Sequence, residues 1–160
     1  MRTGITRYRF EPVNSMALAA HIVRKSGECG ISINVTKLMK LMYCAYGSVL
    51  GKYCCRLTDE YPVCFPHGPV FAEVLKSVQF FGLEAFAAAK VSEIDELPEC
   101  IRELLDVSIG IFGRHESAAL VGWLTGRGTP WFRASDGGAC LYGRIEDDLT
   151  AEYFRRAVLA

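Results

Sequence analysis

At 160 residues, with 51% hydrophobic and 22% charged residues, the chain has the size and composition of one ordinary domain and is too apolar to be disordered. Lys and Arg together number 18, as do Asp and Glu, so no net field draws phosphates from a distance and a generic nucleic-acid binder is disfavoured. Lys37, Lys40 and Lys52 punctuate the most apolar stretch, which leaves no run approaching the ~18 residues a membrane span requires.

Met1 to Phe10 is basic but carries no apolar core, so no secretory signal is expected and a cytoplasmic protein follows. The first predicted helix runs from Asn14 to Lys25. Asn14 and Ser15 are capping types, and Met16, Ala20 and Val23, with Ala19 and Ile22 beside them, share one face. Gly27 and Gly30 close it. The second helix carries the strongest periodicity: Asn34 caps Val35 to about Lys52, and Leu38, Leu41, Met42, Ala45 and Val49 follow a helical stripe. It is expected at the centre of the core. Its charges are all basic, Lys37, Lys40 and Lys52 and then Arg56, and with Tyr43 they are expected to look outward as a solvated face.

From Tyr53 to Pro66, β-branched and aromatic residues broken by two prolines read as a short extended or hairpin excursion. His67-Gly68-Pro69-Val70 reads as a loop ending at a helix start, Gly68 permitting the turn and Pro69 suiting the first helical position. The helix that follows, to about Phe81, is expected to bury Val70, Val74, Val78 and Phe81. Beyond Gly82 an alanine-rich helix covers Leu83 to Lys90. Ser92 to Glu99 is an acidic linker into a helix with Pro98 near its start and Ile101, Leu104, Leu105, Ser108 and Ile109 on one stripe. Ser117 to Thr125 is a short helix closed by Gly126; Gly126 to Gly143 is loop-like; Asp147 and Asp148 open a terminal helix with Leu149, Tyr153 and Phe154. The fold class is therefore mainly α: a single compact helical domain over residues 1–160, its core within 14–158, with a hairpin excursion around 53–66.

Seven cysteines, at 29, 44, 54, 55, 64, 100 and 140, form no framework and read as reduced thiols. Cys64 and His67 have metal-ligand spacing, with Cys54 and Cys55 upstream. Neighbours on an extended segment face opposite ways, so Cys54 and Cys55 would not serve one ion together. The same Cys64/His67 pair would be a thiol nucleophile with its base, yet no third orienting group is evident. No metalloprotease, nucleophile-elbow, phosphate-loop or dinucleotide motif is present; Gly126-Arg127-Gly128 reads as a helix end. His21 lies mid-helix beside an apolar face, a structural setting, and His115 falls between helices. Trp131 and Phe132, flanked by Arg127 and Arg133, form either an interface loop or a core plug. The acidic run Glu93, Asp95, Glu96, Glu99, Glu103 and Asp106 reads as a solvated surface that could meet a basic partner. No catalytic residue, metal or cofactor is assigned.

Four blocks occur in order: Leu38-Met39-Lys40-Leu41-Met42-Tyr43-Cys44-Ala45-Tyr46-Gly47; His67-Gly68-Pro69-Val70; Leu124-Thr125 with Pro130-Trp131; and a terminal helix from Ile145 containing Tyr153-Phe154. Together they resemble the Panacea domain, the family of SocA-like proteolytic adaptors and GepA-like phage-associated antitoxins, over about residues 15–155. Where that family usually has a histidine after Leu-Thr this chain has Gly126, and Phe132-Arg133 stands where an acidic residue often follows Pro-Trp. The resemblance implies a helical domain without enzyme activity that neutralises a toxin of a toxin–antitoxin system or delivers it to a protease. The expected contact surface draws on Lys37, Lys40, Tyr43, His67, Trp131 and Arg133, with Gly68 and Pro69 shaping the turn beside it. The alternatives are a phage or mobile-element inhibitor of a host defence system, of anti-CRISPR type, and a zinc or thiol enzyme built on Cys54, Cys64 and His67. A DNA-binding autoregulator acting through the basic helix comes last.

Overall fold

Two asparagines start the first two helices where the cap rule places them. Asn14 Oδ1 accepts the Met16 N–H at 2.8 Å and Asn34 Oδ1 that of Lys37 at 2.8 Å, satisfying donors that a helix leaves open. In the computed structural model, which describes residues 10–89 and 93–159, these caps open α1 (Ser15–Glu28) and α2 (Val35–Tyr53). The basic lead-in before Phe10, the Lys90 end of the alanine-rich helix and the Ser92 start of the acidic linker lie outside the described residues.

A short antiparallel ribbon follows, β1 (Val63–Phe65) and β2 (Gly68–Val70), and then α3 (Ala72–Phe81) and α4 (Leu83–Ala88). A single 3-10 turn at Glu93–Glu96 leads to α5 (Glu99–Phe112), α6 (Ser117–Leu124), α7 (Pro130–Ala134) and α8 (Asp147–Ala157). The fold is thus mainly α with one small hairpin, as the periodicities predict. No helix among the described residues is long and apolar enough to cross a membrane.

Helix α2 is the hub, packing against α1, α3, α5, α6, α8 and β2. Every residue from Lys37 to Gly51 is buried, because a helix that is apolar or small nearly all round gains by being surrounded. The closest approach is to α8. A Cβ added to Gly47 would lie 2.3 Å from Phe154 Cε2, so glycine at this position lets the phenyl ring sit against the α2 backbone. There Phe154 meets Tyr43 edge-on at 5.6 Å. Tyr43 Oη and Thr150 Oγ1 are 2.9 Å apart, and Tyr46 Oη donates to Asp147 Oδ1 at 2.5 Å, so both buried phenols find partners on α8. Between α1 and α5, His21 meets Asp106 at 2.8 Å, the structural role expected of a mid-helix histidine.

The hairpin lies later than the 53–66 excursion predicted. Its register pairs Val63 with Val70, Cys64 with Pro69 and Phe65 with Gly68, so Pro66 and His67 form the tip and Pro69 belongs to a strand rather than to the first turn of α3. The reason lies in where Cys64 bonds. Its N–H donates to Gly143 O at 2.9 Å and its carbonyl accepts from Tyr142 N at 2.6 Å, so the position opposite it asks no N–H of Pro69. The Gly126–Gly143 stretch also departs from the loop reading. Thr129 Oγ1 accepts the Phe132 N–H at 3.2 Å, and Pro130 at the first helical position starts α7.

Candidate functional site

The thiol–histidine reading does not assemble. Cys64 is fully buried, its Sγ faces Trp131 O at 3.9 Å, and burial pushes the thiol up to about 11, which keeps it protonated and a poor nucleophile or ligand at neutral pH. His67 is exposed at the hairpin tip. Cys54 takes the left-handed cap of α2 at φ 55° and accepts from Arg155 Nη2 at 3.4 Å, while Cys55 Sγ donates to Tyr53 O. Among the described residues no three His, Cys, Asp or Glu side chains are grouped to hold a metal ion.

The contact surface expected from the basic helix is also redrawn. Lys37, Lys40 and Tyr43 are buried and do not look outward. Lys40 is the informative case, with 1% of its surface exposed and Nζ donating to Pro69 O at 3.0 Å. That carbonyl lies in the two-stranded ribbon, and the lysine supplies the donor that a third strand would otherwise give. Desolvation lowers the amine to about 8, opposed by its interaction with Cys44. Gly68, at φ +117°, lies against the lysine stem: an added Cβ would meet Lys40 Cε at 3.0 Å and Thr125 Cγ2 at 3.4 Å. Trp131 is a core plug, 6% exposed, with its indole N–H donating to Phe65 O at 2.8 Å.

The four ordered blocks therefore meet in one interlocked scaffold: Lys40 to Pro69, Gly68 against Thr125, Trp131 to Phe65, and Phe154 in the Gly47 notch. Of the predicted contact residues, His67 and Arg133 remain exposed. His67 shares a shallow cleft of about 140 Å³ with Lys40, Thr36 and Met39, and Arg133 lies 3.9 Å from Glu152 in an exposed pair. Lys52 is exposed over the Tyr53 ring, and Arg56 stacks on Tyr61 at 3.7 Å, 3.8 Å from Asp147. These placements leave no continuous basic face along residues 37–56.

The most conspicuous surface feature is one the periodicity argument misses. Phe81, expected in the core stripe of α3, is 67% exposed, and its neighbour Phe80 is 83% exposed, the rings meeting edge-on at 4.8 Å. Val74 and Val78 bury as predicted, but the chain turns at Gly82, φ +84°, before any element covers the last turn. Helical spacing alone does not reveal this, since adjacent large residues such as Leu41 and Met42 of α2 are both buried.

Phe81 forms one wall of a groove of about 460 Å³ between α1, α3 and α4. Its floor is made of small residues, Ala17 and Ala20 from α1 and Ala85 and Ala89 from the α4 side, with Met16 and Phe86 at the flanks. Alanines at a three-helix junction leave space that leucines would fill. At one end stands Glu93, whose Oε2 accepts the Asn14 N–H at 3.0 Å. Glu93 also lines a second notch of about 310 Å³ with Glu11 and Glu96 around Phe10, Val13 and Leu97. The arrangement is an apolar trough that runs into an acidic pocket. No family model, curated protein or solved structure matches this chain.

Proposed function

We propose that this chain is a non-enzymatic, cytoplasmic protein-binding domain that neutralises a partner protein, as an antitoxin or a proteolytic adaptor of the Panacea type. The observation that carries this reading is the bare Phe80/Phe81 pair at the mouth of an apolar groove. Two phenyl rings left in water beside unfilled apolar space are a feature of a surface that a macromolecule covers. The interlocked scaffold adds support. The residues that carry the resemblance are spent inside the fold on Lys40–Pro69, Trp131–Phe65 and Gly47–Phe154, which leaves the outer faces free to be fitted to a particular partner. The buried, protonated Cys64 favours binding over thiol chemistry.

The test is co-expression of the full chain with the products of genes adjoining its own. Rescue of growth from a toxic neighbour, with co-purification of the two chains, is the expected result. A chain that captures none of those products and leaves their toxicity unchanged refutes the reading.

A further inference from the structure

We infer that the α1/α3/α4 groove receives an amphipathic helix with a basic end, its apolar side chains lying along the alanine floor and its Lys or Arg residues seated at the Glu11/Glu93/Glu96 notch. This rests on the protein-binding reading and names the chemistry of the partner at that surface.

Shape comes first. Each wall of the trough is a helix presenting residues at helical spacing: Met16 and Ala20 from α1, Ser77 and Phe81 from α3, and Ala85 and Ala89 along the α4 edge. A trough floored by alanines admits close approach of a rod bearing bulky side chains, the mode in which a helix docks through i, i+3, i+4 and i+7 anchors. Phe80 and Phe81 supply the rigid aromatic area that anchors such contacts.

Charge then selects among apolar helices. Three carboxylates converge on the notch at the end of the trough. Among the described residues of 72–96 the exposed charges are Glu73, Glu84, Glu93, Asp95 and Glu96 against Lys76 alone, while on the α1 side Arg24 is held by the carbonyl of Ala89, away from the Glu11/Glu93/Glu96 notch. An acidic helix laid here would bring like charges together at a desolvating interface, whereas a basic end neutralises them and is steered inward. The protein as a whole carries no net charge, so the polarity of this corner is local.

The experiment uses the full chain and three synthetic 18-residue peptides: a Leu/Lys amphipathic helix, a Leu/Glu helix with the same apolar pattern, and a scrambled Leu/Lys peptide without an apolar face. Fluorescence anisotropy is expected to show the Leu/Lys helix binding at least tenfold tighter than the other two. Phe81→Ser should weaken it about tenfold. Glu93→Gln with Glu96→Gln should abolish the preference over Leu/Glu and flatten the salt dependence. All four residues of the aromatic pair and this acidic pair are exposed, and unchanged thermal melts confirm that the variants fold. Equal binding of the Leu/Lys and Leu/Glu helices, or of the scrambled peptide, overturns the inference, as does wild-type affinity in Phe81→Ser. Concentration-dependent dimerisation of the free chain that Phe81→Ser abolishes would assign the groove to a second copy and likewise overturn it. The two readings fail separately. A partner still neutralised by Phe81→Ser removes the groove and spares the function; selective Leu/Lys binding with no neighbour neutralised does the reverse.

Discussion

Substituting Lys40 by methionine separates charge from packing at a lysine that the fold encloses almost completely. Burial lowers its amine from an ordinary 10.5 to about 8, a difference that corresponds to about 3 kcal/mol against the charged form inside the protein. Between those two values the unfolded chain holds a proton that the folded chain has released, so stability rises with pH across that window. For this group alone, linkage gives a gain of about 1 kcal/mol from about pH 7 to about pH 9. Within the same window Cys44 and Cys64, kept neutral in the fold by burial, begin to ionise in the unfolded chain and offset much of this rise, so the Lys40 contribution is read as the difference between wild type and a variant that keeps both thiols. Lys40→Met keeps the length of the stem against Gly68 and removes the titration, while Pro69 O loses its donor at about 1–3 kcal/mol. The variant should therefore match the wild type within about 1 kcal/mol near neutral pH, where the two effects offset. By about pH 9 it should fall below the wild type, because it lacks the rise. Urea unfolding at a series of pH values measures both. A difference between the wild-type and Lys40→Met curves that stays constant with pH over this range would refute the assignment of a buried, readily deprotonated amine.

Gly47→Ala drives a methyl into the Phe154 ring at 2.3 Å and should destabilise the domain by about 3 kcal/mol or more; Phe154→Leu in the same chain should recover part of the loss, and additive effects would show that the two do not touch. Trp131→Phe removes the donor to Phe65 O and should lower the urea midpoint by the equivalent of about 1–2 kcal/mol, an unchanged midpoint counting against the hydrogen bond. With an aromatic disulfide reagent on native protein, the exposed Cys29 and Cys140 should react at once and the buried Cys44 and Cys64 only on unfolding. Cys64 reacting as fast as Cys29 would show that β1 opens.

Much of the architecture is legible in the chain. Asn14 and Asn34 mark helix starts because a capping side chain acts on its own first turn, and Val74 and Val78 are found by spacing because a packed stripe repeats at the helical period. The errors arise where a distant partner decides. Pro69 reads as a helix start until Cys64 is seen to bond to the 142–143 segment. Lys40 reads as solvated because nothing near it in sequence reveals an orphan carbonyl 29 positions away. Trp131 could be exposed or plugged on local grounds, and only the facing Phe65 carbonyl settles its place. The groove was hardest to foresee, since a void is a property of three helices at once.

Because α2 packs against α1, α3, α5, α6, α8 and β2, elements from both halves of the chain depend on it for their core. A fragment ending before residue 35 lacks the hub, and one beginning after residue 53 lacks a floor to fold on. A protein built this way is present whole or absent altogether. Because α2 is buried along Lys37 to Gly51, a protease reaches it only in chains that have already opened, so cleavage there reports global unfolding rather than local fraying.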